Sequence, residues 1–234
     1  MEDPIVLTRD LRRAYAQGPV RTEVLRGVDL AIPAGGLSVI FGPSGSGKST
    51  LLNLLGGLDR PSGGEIMVAG VRRVGLSAAG LQAYRRDTVS VVFQFYNLLP
   101  TLTAVENVAA GLEAQGARPA AAREVAMTWL QRVGLEALAS RFPGQLSGGE
   151  QQRVALVRAL ARGPRLRLAV EPTASVDRAT SDRLIPWMAE LSREQDTTFL
   201  VVTHDPHFQA VARQVVSLEN GRVARVEAGG APGW

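Results

Sequence analysis

LSVIFGPSGSGKSTLLNLL, residues 37–55, decides the fold. Its middle, GPSGSGKS from Gly42 to Ser49, fits the pattern G-x-x-x-x-G-K-[ST], with an apolar strand (37–41) before it and a helical run, TLLNLL (50–55), after it. Glycines let the main chain wrap an anion with its N–H groups turned inward, and the start of a helix adds partial positive charge. Gly42, Pro43, Ser44, Gly45, Ser46, Gly47, Lys48, Ser49 and Thr50 are therefore expected to hold the phosphates of a nucleotide. Lys48 would reach the β and γ phosphates, and Ser49 would offer its hydroxyl to magnesium. The plainer alternative is a glycine-rich strand-to-helix turn with no ligand. Composition weighs against it: of 26 basic residues 25 are arginine, and the one lysine is Lys48. A chain that has almost eliminated lysine keeps it where a compact ammonium, not a planar fork, is required.

The bulk properties bound the rest. A chain of 234 residues with 45% hydrophobic content suits one domain with an ample core. Its longest apolar runs, such as LSVIF (37–41) and TFLVVT (198–203), are strand-sized and far below the roughly 20 residues of a membrane span. The start, MEDPIVLTRDLRR, has early acids and no apolar core, so a signal peptide is not expected. The absence of cysteine excludes disulfides and thiolate metal sites and agrees with a cytoplasmic setting. Net charge is only +4 and the arginines scatter in pairs, as at Arg12-Arg13, Arg72-Arg73 and Arg85-Arg86, so no nucleic-acid partner is expected.

A phosphate loop alone does not separate kinases, GTPases and ATPases. LSGGEQQRVALVRALARGP, residues 146–164, does. Ser147-Gly148-Gly149-Glu150 reads as a capping box opening an amphipathic helix that stops at Gly163-Pro164. The two glycines weaken the first turn but leave its N–H groups sterically bare, which suits phosphate. With the phosphate loop, this segment resembles the signature of ABC-type ATPases, and the resemblance extends over nearly the whole chain. It implies an α/β fold: a P-loop NTPase (RecA-like) core with a mostly parallel sheet, an N-terminal antiparallel β portion and an inserted helical subdomain. It also implies ATP and Mg2+ as cofactors, and a head-to-tail pair in which the phosphate loop of one subunit and Ser147–Glu150 of a second copy or homologue enclose each ATP.

The same resemblance carries roles to further positions. Tyr15 stands where an aromatic ring stacks on adenine, and Gln94, at the end of VSVVFQ (89–94), where a glutamine joins the magnesium shell. His204 closes the strand TTFLVVTH (197–204) and matches the histidine that contacts the γ phosphate. Asp177 matches the aspartate that crosses the dimer interface, although Ala174 and Val176 depart from the family pattern. Glu171 matches the general base. One position is wrong for an ATPase: the residue before Glu171, an aspartate that secures magnesium in the family, is Val170. Arg167, three residues earlier, interrupts a strand that ought to be apolar on both faces. Losses around a metal site reduce affinity or activity by roughly 10 to 100-fold, so slow hydrolysis is expected.

The expected layout is a core lobe of about residues 1–94 and 165–227, a helical lobe of about 95–164 and a frayed tail, 228–234. Thr103 and Glu106 form a second capping box, Pro119 starts a helix reaching Val133, Gly134 ends it, and Asn220-Gly221 turns the last hairpin. Phe95, Tyr96, Leu98 and Leu99, in FYNLLPTLTAVENV (95–108), either dock a partner's helix or pack on the helical lobe. The sequence looks most like the lipoprotein-releasing and macrolide-export branch. That branch implies an integral membrane permease as partner and a peripheral place on the inner face of the cell membrane. Two other readings remain: a hydrolysis-impaired subunit paired with an active homologue, and a non-transport ABC protein.

Overall fold

The computed structural model describes residues 3–93, 96–174 and 176–231. The strands β1 (Val6–Gln17), β2 (Val20–Ile32), β3 (Gly36–Phe41), β4 (Gly63–Val68) and β5 (Val71–Arg72) precede β6 (Val89–Val92), β7 (Leu166–Val170), β8 (Thr198–Val202), β9 (Gln214–Glu219) and β10 (Arg222–Ala228). They form two sheets. The first is antiparallel, in the order β2-β1-β4-β5; the second runs β10-β9-β3-β8-β7-β6 and is parallel except for the closing β9–β10 hairpin. Burial on both faces explains why β3 and β8 are continuous apolar runs: every residue of β8, and all of β3 but Phe41, is buried.

The helices are α1 (Lys48–Leu55), α2 (Ala78–Asp87), α3 (Ala104–Glu113), α4 (Pro119–Arg132), α5 (Gly148–Ala161), α6 (Arg178–Glu194) and α7 (His207–Val211). Leu51, Leu52, Leu54 and Leu55 of α1 fill an apolar cluster shared with strands of both sheets. On the other face Leu184, Ile185, Met188 and Leu191 of α6 cover Leu37, Val39, Phe199 and Val201. The helices α3, α4 and α5 pack around a third cluster of their own, with Val108, Leu130 and Val157 at its centre, and Trp129 and Trp187 lie against both the second and third clusters.

Local signals account for the helix ends. Thr103 and Glu106 cap α3 reciprocally, Ser147 and Glu150 do the same for α5, and Pro119 takes the first position of α4. The tail departs from expectation. Ala228 belongs to β10, and the amides of Gly229, Gly230 and Ala231 donate to the carbonyls of Arg213, Gln209 and Ala212, so the chain is held through Ala231. Gln94 and Phe95 lie outside the described residues; β6 itself ends at Val92.

Parallel register gathers the site. Ile40 of β3 and Val170 of β7 both pair with Val202 of β8. The residues that follow those three strands, the phosphate loop from Gly42, then Glu171, then Thr203-His204, therefore emerge together at one edge, where ligands of open α/β sheets bind.

Candidate nucleotide-binding site

The phosphate loop opens on a cleft of about 620 Å³ lined by Gly42, Ser44, Gly45, Gly47, Lys48, Ser49 and Thr50, with Val170, Glu171 and His204 opposite. Gly42 must be glycine because a Cβ there would run into the Leu218 carbonyl of β9. Ser46 is buried behind the loop, and its carbonyl accepts the Gly221 amide from the last hairpin. The Lys48 ammonium donates to the carbonyls of Gly42 (2.7 Å) and Pro43 (2.9 Å). Burial lowers its pKa, while the Glu171 carboxylate opposes that shift. The result is a concave wall of amides with one ammonium at its base, which is chemistry for a phosphate chain.

Glu171 faces it. The residue adopts a left-handed backbone (φ 46°), rare for glutamate, and its amide donates to the Val202 carbonyl at 2.8 Å. That turn delivers the carboxylate to two partners: Oε2 accepts from the Thr203 hydroxyl (2.9 Å), and Oε1 lies 2.9 Å from His204 Nδ1. Glu171 is mostly buried, while His204 is mostly exposed toward solvent. A second acid–histidine pair stands beside the first. Asp205 Oδ1 lies 2.6 Å from His207 Nδ1, Asp205 Oδ2 accepts from the Thr173 hydroxyl (3.2 Å), and the His207 ring meets Arg178 Nη1 at 3.1 Å. Thr203, Asp205 and His207 were not anticipated from sequence; the only signal was their adjacency to His204.

Val170 reaches the cleft wall and packs its other side on the first apolar cluster. Among the described residues no group of three or more His, Cys, Asp or Glu side chains converges as a metal site. Glu171 is, among the described residues, the one carboxylate lining the cleft, and it is already engaged by Thr203 and His204. The Ser49 hydroxyl and that single engaged carboxylate do not make a resident magnesium site, which is built from free oxygen donors in octahedral arrangement.

The remaining positions fall as follows. Tyr15 is exposed outside the cleft lining; its hydroxyl donates to Asp59 (2.7 Å), and the Arg13 guanidinium, itself paired with Asp59, lies 4.2 Å from the ring centroid. Ser147–Glu150 does not line the cleft either. Asp177 caps α6 by accepting from the Thr180 amide (3.0 Å) and hydroxyl (2.7 Å), and a Cβ on Gly149 would lie 3.2 Å from Thr180 Cγ2. The start of α5 and the start of α6 thus touch through Thr180. Gln94 lies outside the described residues.

Fold and cleft together define a P-loop nucleotide-binding cassette. The chain belongs to the ABC transporter family, whose pattern it matches over residues 25–174. It is 46% identical over 221 residues to the lipoprotein-releasing system ATP-binding protein LolD of Anaeromyxobacter dehalogenans, covering 94% of this chain and 92% of that one. The LolD protein of Bordetella pertussis is 44% identical over 220 residues, at 94% and 95% coverage. Among solved structures, the dimeric post-hydrolysis state of the ATP-binding cassette MJ0796 bound to ADP and Pi superposes with a TM-score of 0.90 at 37% identity, over 98% of this chain and 100% of that one. The cbiO1 protein of Clostridium perfringens, part of the cbiONQ transporter complex, gives 0.86 at 27% identity, over 97% and 89%. The chain is an ATP-binding subunit of the ABC transporter class.

Proposed function

We propose that this chain binds ATP, hydrolyses it slowly, and works as a pair, with itself or a homologue, beneath a membrane permease of the lipoprotein-releasing kind. The observation that carries the reading is the opposition of Lys48 and the phosphate-loop amides to the Glu171–His204 pair across one cleft. Amides and ammonium take up charge that grows on the phosphate oxygens as the γ phosphate is transferred. Glu171, fixed by Thr203 and His204, accepts the proton of the attacking water, and His204 keeps its exposed ring toward the phosphates. Tyr15 would reach the adenine and Gln94 the magnesium shell. Ser147–Glu150, remote from its own chain's cleft, would close on the ATP of the facing subunit with Asp177 beside it.

Among the described residues no helix is long and apolar enough to cross a membrane, so on this reading the permease is a separate chain and this subunit sits peripherally on the inner face of the membrane. Leu99, exposed in the loop before α3, and the half-buried Tyr96 supply an apolar surface for it, whereas Leu98 packs on the third cluster of the helical lobe. Val170 favours a second reading, in which the chain holds ATP while a homologous partner hydrolyses it. Val170→Asp, close to isosteric, separates the two. Steady-state ATPase activity of the assembled transporter is expected to rise roughly 10-fold or more. No rise would remove the slow-hydrolysis reading and leave the second.

A further inference from the structure

The segment that follows Gln94 is gripped at its first described residues by one side chain of α5. Arg158 Nη2 donates to the Tyr96 carbonyl (2.8 Å) and Nη1 to the Asn97 carbonyl (2.7 Å). Tyr96 and Asn97 are both left-handed, with φ of 42° and 49°. Two consecutive non-glycine residues rarely hold that conformation, and here it turns both carbonyls toward one guanidinium fork. The far end of the segment is fastened to α3: buried Asn107 accepts from the Leu99 amide (2.7 Å) and donates to the carbonyls of Leu99, Leu102 and Thr103.

One turn beyond Arg158, at the cap that ends α5, Arg162 donates to the carbonyls of Arg85 and Arg86 at the end of α2, and Gln115 bridges Arg86 and Arg162. Gly111 of α3 makes room for both arginine stems, because a Cβ there would lie 3.3 Å from Arg162 Cδ and 3.5 Å from Arg158 Cγ. Among the described residues no carboxylate pairs with Arg158, and burial lowers its pKa. Main-chain carbonyls are what it holds.

We propose that Arg158 is a positioning residue that makes the loop after Gln94 and the signature helix α5 move as one body. A displacement at Ser147–Glu150 would then reach Tyr96 and Asn97, in the loop before α3, without passing through the sheet, while Arg162 supplies the pivot on α2. The proposal rests on the ATP-sandwich reading for its consequence in turnover, not for its mechanical content.

Amide hydrogen exchange and ATPase kinetics on the full chain test both parts. In Arg158→Gln, exchange across residues 97–102 is expected to accelerate about tenfold while α5 stays protected; kcat falls by a similar factor and KM stays within about twofold. Arg158→Lys, which keeps the charge but not the fork, falls between the two proteins, and decides alone if Arg158→Gln does not fold. Unchanged exchange at 97–102, or a raised KM with intact kcat, overturns the proposal. A wild-type chain that binds no ATP would sink the functional reading and leave the exchange result standing.

Discussion

Asp205 stands one residue beyond the histidine of the cleft, mostly buried, and receives hydrogen bonds from the His207 amide (3.0 Å) and the Thr173 hydroxyl while pairing with the His207 ring. Burial, the largest influence, pushes its carboxyl up, but the hydrogen bonds from His207 and Thr173 outweigh it and leave the pKa below the ordinary value. A depressed folded-state pKa stabilises the protein above the unfolded value of about 3.9, and that contribution fades as pH falls through the folded value. Wild type should therefore exceed Asp205→Asn by roughly 1 kcal/mol at pH 6, with the gap closing toward pH 3, as thermal unfolding would report. A gap that widened on acidification would contradict this role. At this scale the sequence was legible where one residue type has one use, as with Lys48 among 25 arginines. It was silent on Thr203, Asp205 and Arg158, whose partners come from distant strands and loops.

Strand β7 carries a side chain that its surroundings reject. Arg167 is 2% exposed, its Nη2 donates to the Leu160 carbonyl at 3.3 Å, Nε and Nη1 have no partner among the described residues, and the Phe199 ring lies 5.7 Å from its guanidinium carbon. Burial pulls its pKa down to about 10. Removing the stranded donors while keeping the volume should help: Arg167→Met is expected to stabilise the chain by roughly 1–3 kcal/mol in urea denaturation, with unchanged m. A destabilised Arg167→Met chain would mean the guanidinium is better satisfied than its contacts indicate. Elements with local signatures were legible, including both capping boxes, the Pro119 start and the Asn220-Gly221 turn. Pro186 shows the opposite case: it sits inside α6, where local rules would end a helix, and the apolar face packed on the sheet carries the helix through.

For the whole molecule, the strand order β9-β3-β8-β7 could not be read from spacing, because it is set by crossovers that return to either side of β3. The family resemblance implied a mostly parallel sheet with an antiparallel portion and a helical insert, but not that order. The proposed pairing and the slow hydrolysis proposed from Val170 combine into one expectation: if ATP closes two copies and hydrolysis opens them, a slow hydrolase stays closed. Wild type incubated with ATP should elute as a dimer in light-scattering chromatography, and Val170→Asp should shift toward monomer on the same timescale. A wild-type chain that remains monomeric at saturating ATP would contradict self-pairing and leave pairing with a homologue.

The packing of the last hairpin against the phosphate loop has a consequence for synthesis. Leu218 presses its carbonyl on Gly42, Gly221 donates to Ser46 and accepts from the Arg26 amide, so the loop's wall includes residues made long after the loop itself. On the ribosome, a nascent chain that has already exposed its entire glycine-rich motif still lacks the backing that shapes it. Nucleotide capture is thereby postponed until the β9–β10 hairpin has been made, and a product truncated before that hairpin is born without a working grip.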